Sequence, residues 1–170
     1  MKGKCLCGEV EFELSGDIPN IYQCHCSLCR KVSGSASNSA MLVGSKNFRW
    51  LRGIDSISRF VEKSGFISDF CSNCGSPLPS PLKSGHGYWV PAGLLEDCGE
   101  LRIVAHVYVD SRAPWDSIVN EAKRFAETAG DDLPRFVTED LPEVIDAWES
   151  VGVSATDYPR NVNVSKKDKE

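Results

Sequence analysis

The chain has 170 residues, 41% of them hydrophobic and 25% charged, with a formal net charge of −5. That length suits one domain with at most a modest extension, and an acidic balance without a basic run argues against a sequence-independent nucleic-acid binder. No apolar stretch of about 18 residues is present, so no transmembrane helix is expected. Met1-Lys2-Gly3-Lys4-Cys5 lacks the apolar run of a signal peptide, which points to a cytoplasmic location.

The first predicted strand is Glu9–Leu14, where Val10, Phe12 and Leu14 alternate with glutamates in the pattern of a half-buried strand. Ser15-Gly16-Asp17 breaks it, and the short apolar run Ile18–Tyr22 leads into cysteines at 24–29. Further strands are expected over Asn38–Val43, Phe48–Leu51, Ile57–Val61, Phe66–Phe70, Tyr88–Val90 and Leu101–Val109. Short strands punctuated by Gly, Pro and Ser imply a mainly β fold, and no βαβ rhythm occurs before residue 110. Helical signals come late. Trp115–Thr128 carries Ile118, Ala122, Phe125 and Ala126 near helical spacing, with Gly130 as a stop. Leu141–Val151 is a second, shorter candidate, with Pro142 in its first turn. Leu141, Val144, Ile145 and Trp148 form an apolar stripe that needs burial, against this domain or in a homodimer. The charged end, Lys166–Glu170, is expected to fray.

Seven of the eight cysteines fall into three clusters: Cys5-x-Cys7-Gly8, Cys24-x-Cys26-x-x-Cys29 and Cys71-x-x-Cys74-Gly75. Such spacings let one tight turn aim two or three sulfurs at a point, and glycine after a Cys pair permits the positive φ that the turn needs. Thiolates are soft ligands that favour zinc or an iron–sulfur centre, with zinc the better account of clusters this far apart. In a chain without an export signal, ligation explains the clustering better than disulfides do. Cys98 stands alone and reads as a small buried apolar residue. A structural zinc takes four closed ligands and a catalytic one keeps a position open. Seven thiols then divide as four plus three, with the end pairs closed and the central triplet open. The rival pairs Cys26-x-x-Cys29 with Cys71-x-x-Cys74 in a zinc ribbon. Spacing does not decide between them, although the four-plus-three division uses all seven.

The segments Cys5-Leu6-Cys7-Gly8-Glu9-Val10, Cys24-His25-Cys26-Ser27-Leu28-Cys29-Arg30-Lys31 and Phe70-Cys71-Ser72-Asn73-Cys74-Gly75-Ser76 resemble the glutathione-dependent formaldehyde-activating enzyme family, which includes centromere protein V. His106-Val107-Tyr108-Val109 and Ala113-Pro114-Trp115 resemble its later pattern. The resemblance covers about residues 3–136, which defines a zinc-binding domain over 1–136 and leaves 137–170 as a C-terminal extension. It implies a zinc-stabilised β-tent of small antiparallel sheets. It also implies two Zn2+ per chain: a structural one on Cys5, Cys7, Cys71 and Cys74, and a reactive one on Cys24, Cys26 and Cys29. The activity it implies is that of a zinc-dependent carbon–sulfur lyase, forming or cleaving the C–S bond of an S-(hydroxymethyl)glutathione-like adduct.

Thiol chemistry suits an open zinc, because a metal-bound thiol is deprotonated at neutral pH. Arg30 and Lys31 are candidates to bind the carboxylates of glutathione, against the simpler reading of a solvated pair on a turn. His25, between two ligands, is a candidate proton carrier with an unperturbed pKa near 6.5. His106 reads as a satisfied core histidine, His86 as a loop residue, and Trp89 and Trp115 as core. Asp69 stands where relatives often carry a basic residue, which weakens the case for an anionic substrate. The alternative is a non-catalytic zinc module for protein contact, its second zinc closed by Cys98, His86 or His106. Neither a nucleic-acid nor a membrane partner is expected.

Overall fold

The computed structural model describes residues 1–82 and 85–127. The expected helix over 141–151, its apolar stripe and the extension 137–170 lie outside the described residues. Strands follow one another as β1 (Lys2–Lys4), β2 (Glu11–Leu14) and β3 (Ile21–Cys24), then a seven-residue helix α1 (Ser27–Ser33). Next come β4 (Asn38–Gly44), β5 (Phe48–Arg52), β6 (Ile57–Val61) and β7 (Ile67–Cys71). The short strands β8 (Pro77–Leu78) and β9 (Ser80–Pro81) precede β10 (Gly87–Pro91), β11 (Ile103–Val107) and β12 (Lys123–Arg124). The fold is mainly β, as its composition and punctuation predict.

These strands make three small sheets, ordered β1-β2-β5, β12-β11-β3-β4-β10-β9 and β6-β7-β8. Pairing is antiparallel except at β3–β11 and β11–β12, which run parallel. The missing βαβ rhythm does not forbid those parallel neighbours. The connection from β3 to β11 runs through both other sheets, which is far longer than the dozen residues a crossover requires.

Alternation in β2 does what its sequence demands: Phe12 and Leu14 are buried while the glutamates between them are half-buried. Arg52 and Arg49 on β5 donate to Glu11 and Glu13 at 2.7 and 2.6 Å. Phe12 and Leu14 join Met41, Val43, Phe48 and Val90 in the central core. Two smaller cores flank it. One holds Cys5, Val10, Cys71 and Leu78, and the other holds Tyr22, Cys24, Cys29, Ala40, Ala105 and Val107. Each flanking core thus contains cysteines, so the sulfurs are part of the packing that fixes their own backbone.

Residues 115–127 are not helical, contrary to the periodicity. Asp, Ser and Asn compete for backbone hydrogen bonds and β-branched residues resist the helix, and Asp116-Ser117-Ile118-Val119-Asn120 is composed of just these. Asp116 N–H donates to Ala113 O at 3.0 Å, and the Asn120 side-chain oxygen accepts from Ala122 N–H at 3.1 Å in a local turn. The chain then returns along the edge of β11, where Phe125 N–H donates to His106 O at 2.8 Å. Tertiary pairing at a free sheet edge outweighs a helical pattern whose residues are poor helix formers. Among the described residues, no helix is long and apolar enough to cross a membrane.

Candidate metal centres

Two similar turns build the first cysteine set. Cys5 follows β1, and Gly8 N–H closes a turn onto Cys5 O at 3.0 Å with Gly8 at φ 75°. Cys71 ends β7, and Gly75 N–H closes onto Cys71 O at 2.8 Å with Gly75 at φ 74°. Both glycines hold a left-handed backbone that L side chains rarely adopt. Leu6 N–H donates to Ser76 Oγ at 3.0 Å and ties one turn to the other. The sulfurs of Cys5, Cys7, Cys71 and Cys74 all lie within 4.8 Å of one another. Cys5 and Cys7 Sγ are 3.5 Å apart, and Cys7 and Cys71 Sγ 3.8 Å. A metal bound at about 2.3 Å by four tetrahedral thiolates spaces them at roughly 3.8 Å, so this set fits a closed four-sulfur site. The structure joins the two end pairs, and the zinc-ribbon rival does not form.

Cys24, Cys26 and Cys29 form the second set, their sulfurs also within 4.8 Å of one another. Cys24 is the last residue of β3 and Cys29 lies on α1. Cys26 is the N-cap of that helix, its sulfur accepting from Cys29 N–H at 3.4 Å, and Gly34 ends the helix at φ 64°. The sequence reading missed this helix. Its signal was a sulfur acting where Ser, Thr, Asp or Asn is usual, followed by Gly at the stop. Among the described residues no fourth His, Cys, Asp or Glu joins the three. Cys98, His86 and His106 all stand apart from this set.

Crowded sulfurs do not all ionise together. In the second set, hydrogen bonding from the neighbouring sulfurs of Cys24 and Cys29 draws the Cys26 thiol down to about 2. Cys26 in turn pushes Cys24 up to about 12, and Cys24 and Cys26 together push Cys29 up. In the first set, burial lifts Cys71 to about 11 and the hydrogen bond with Ser76 lowers Cys74 to about 5. A bound cation inverts this logic, because coordinated thiols deprotonate outright. Both sets therefore have the chemistry of a soft-metal site.

Behind the three-sulfur set runs a chain of side chains. His25 Nδ1 meets Asp116 Oδ2 at 3.1 Å, His25 Nε2 meets His106 Nδ1 at 2.9 Å, and His106 Nε2 meets Asn120 Oδ1 at 2.8 Å. Asn120 Oδ1 also accepts from Ala122 N–H, which fixes the orientation of its amide. His106 Nε2 must then donate, so its Nδ1 accepts from His25 Nε2–H. The contact between His25 Nδ1 and Asp116 needs one proton beyond those of two neutral imidazoles. Burial and then His106 work against a proton on His25, while Asp116 favours it. His25 is 2% exposed and points away from the sulfurs, into this chain. His106 is a satisfied core histidine, as its apolar strand predicts. Sequence reasoning missed Asp116 and Asn120, since no spacing rule links positions 25 and 116.

Arg30 donates through Nε to His25 O at 3.3 Å and through Nη2 to Ser111 O at 3.2 Å, cross-linking α1 to the turn after β11. Lys31 is exposed in the last turn of α1. Asp69 is buried and held by both nitrogen arms of Arg59, Nε to Oδ1 at 2.6 Å and Nη2 to Oδ2 at 2.7 Å. Its charge is neutralised within β6–β7, so it does not set a bare carboxylate against an anionic ligand. Trp89 packs half-buried against the three-sulfur core, whereas Trp115, expected in the core, is 72% exposed. His86 is exposed between β9 and β10, as a loop residue should be.

A family profile described as glutathione-dependent formaldehyde-activating enzyme matches residues 1–111. A Halomonas elongata protein named as a candidate glutathione-dependent formaldehyde-activating enzyme is 32% identical over 84 residues, or 46% of this chain and 54% of that protein. The chain thus spans about half the length of that curated relative. A crystal structure of a Rhodobacter sphaeroides protein is similar with a TM-score of 0.49 and 26% identity, over 59% of this chain and 92% of the other.

Proposed function

Since the chain belongs to the glutathione-dependent formaldehyde-activating enzyme family, we propose that it is a zinc-dependent carbon–sulfur lyase that forms or cleaves the C–S bond of a glutathione–formaldehyde adduct. The observation that carries this reading is the pairing of a four-sulfur set with a three-sulfur set. The first offers a closed shell and the second leaves a tetrahedral position for a ligand. Zinc held by Cys24, Cys26 and Cys29 would stabilise a further sulfur as a thiolate.

Around that position the protein supplies order. Cys24 and Cys29 lie in a small apolar core that limits water, while Cys26 is half-exposed at its rim. In this reading His25 is a positioning residue, whose contact with Asp116 holds the Cys24–Cys26 turn in place. Lys31, exposed on α1, is the cation that would bind a carboxylate of glutathione, with Arg30 beside it held by the His25 and Ser111 carbonyls. Cys5, Cys7, Cys71 and Cys74 take a structural zinc, giving two per chain.

The test is exchange spectroscopy on 13C-formaldehyde with glutathione. The protein should accelerate interconversion with S-(hydroxymethyl)glutathione by at least about tenfold over the uncatalysed rate. Cys26→Ser should abolish the acceleration while keeping α1, since serine is a good N-cap. An unchanged rate with the folded, two-zinc protein contradicts the reading.

A further inference from the structure

β3 and β4 pair antiparallel with Cys24 directly opposite Asn38 and Tyr22 opposite Ala40. Directly opposed residues project on the same face with Cβ atoms about 4.5–5.5 Å apart. All four are buried, so this face carries both the Cys24 sulfur and the Asn38 amide. Asn38 is 7% exposed, and its Nδ2 donates to nothing among the described residues, the neighbouring sulfur included.

Buried donors in proteins are almost always paired, and leaving one unpaired is costly. The other buried polar side chains near this site do have partners. His25 and His106 complete the chain to Asp116 and Asn120. Asn38 is the exception among the described residues, and it lies beside the one cysteine set that lacks a fourth ligand.

We propose that Asn38 is a specificity-determining residue of the three-sulfur site. Its Nδ2 donates to a hydroxyl or carbonyl oxygen carried one or two carbons from a ligand sulfur seated at Cys24, Cys26 and Cys29. The ligand class is an oxygen-bearing thiol or thiol adduct, so a sulfur without a nearby oxygen is the poorer occupant. The inference rests on the proposed function for the place of that sulfur, and it adds the group that reads the oxygen.

The experiment uses two thiols that differ in one hydroxyl, 2-mercaptoethanol and ethanethiol. Each is titrated calorimetrically into the full-length zinc-loaded protein and its Asn38→Leu variant, with glutathione in parallel. The wild type should bind 2-mercaptoethanol about fivefold more tightly, the worth of one neutral hydrogen bond. The side-chain amide resonances of Asn38 in 15N-labelled wild type should move with 2-mercaptoethanol and stay with ethanethiol. Asn38→Leu should bind the two alike. Equal binding in the wild type with an unmoved Asn38 resonance overturns the proposal, and the resonances decide the matter even if the variant does not fold. Selectivity that persists in folded Asn38→Leu overturns it too. Selective thiol binding with no glutathione binding overturns the glutathione reading and leaves Asn38 standing; glutathione binding with no selectivity does the reverse. Failure of every thiol to bind overturns both.

Discussion

Gly53 shows how far a single residue can control a site it does not touch. It holds φ 77°, and a Cβ there would collide with the carbonyl oxygen of Glu9 in the segment just after the first cysteine turn. Backbone is the obstacle, so no side-chain rotation relieves it. Gly53→Ala should therefore destabilise the metal-loaded protein by more than about 1 kcal/mol, read as a lower urea midpoint at unchanged slope. A midpoint within error of wild type would mean that the 8–10 and 52–54 segments separate readily. At this scale the two cysteine sets were the legible part of the sequence, because chelating spacings are local. Asn38, Asp116 and Asn120 were not. Each acquires its role from a partner across a sheet or a long loop, and nothing in its own neighbourhood marks it.

Among the elements, β2 was legible because it alternates and buries one face, while β4, β5, β6 and β11 were legible as short apolar or β-branched runs between breaks. The periodicity failed at 115–127, where Ile118, Ala122 and Phe125 kept helical spacing yet the chain pairs with the edge of β11. It also failed at α1, too short at seven residues to show a repeat. The return of 113–125 over β11 has a consequence for stability. Asp116 anchors it to His25 at 3.1 Å, with the His25 side chain 3% exposed. Asp116→Ala leaves His25 Nδ1 facing no partner and should cost about 1–3 kcal/mol. Asp116→Asn brings an amide N–H that can donate to Nδ1 and complete the chain with two neutral imidazoles. It should recover most of that loss in the same denaturation experiment. Equal losses in the two variants would show that the carboxylate charge, and not the hydrogen-bond chain, holds the segment.

At the scale of the whole molecule, the two cysteine sets lie in different parts of the fold. The four-sulfur set sits where β1, β7 and the turn after β7 meet, so it brings the β1-β2-β5 sheet to the β6-β7-β8 sheet although Cys5 and Cys71 are 66 positions apart in sequence. The three-sulfur set lies in the large mixed sheet, between the end of β3 and α1. The four-plus-three division was undecided by spacing alone, because a ribbon of two C-x-x-C pairs satisfies the same local rules. The fold settles which sulfurs meet, since β7 delivers Cys71 beside Cys5 and β3 holds Cys24 in the other core. X-ray absorption at the zinc edge, on full-length protein before and after addition of glutathione, tests this division most directly. Two zincs per chain are predicted, one with four sulfurs and one with three, and glutathione should add a fourth sulfur to the second alone. Two zincs that both begin with four sulfurs and ignore glutathione would contradict the account.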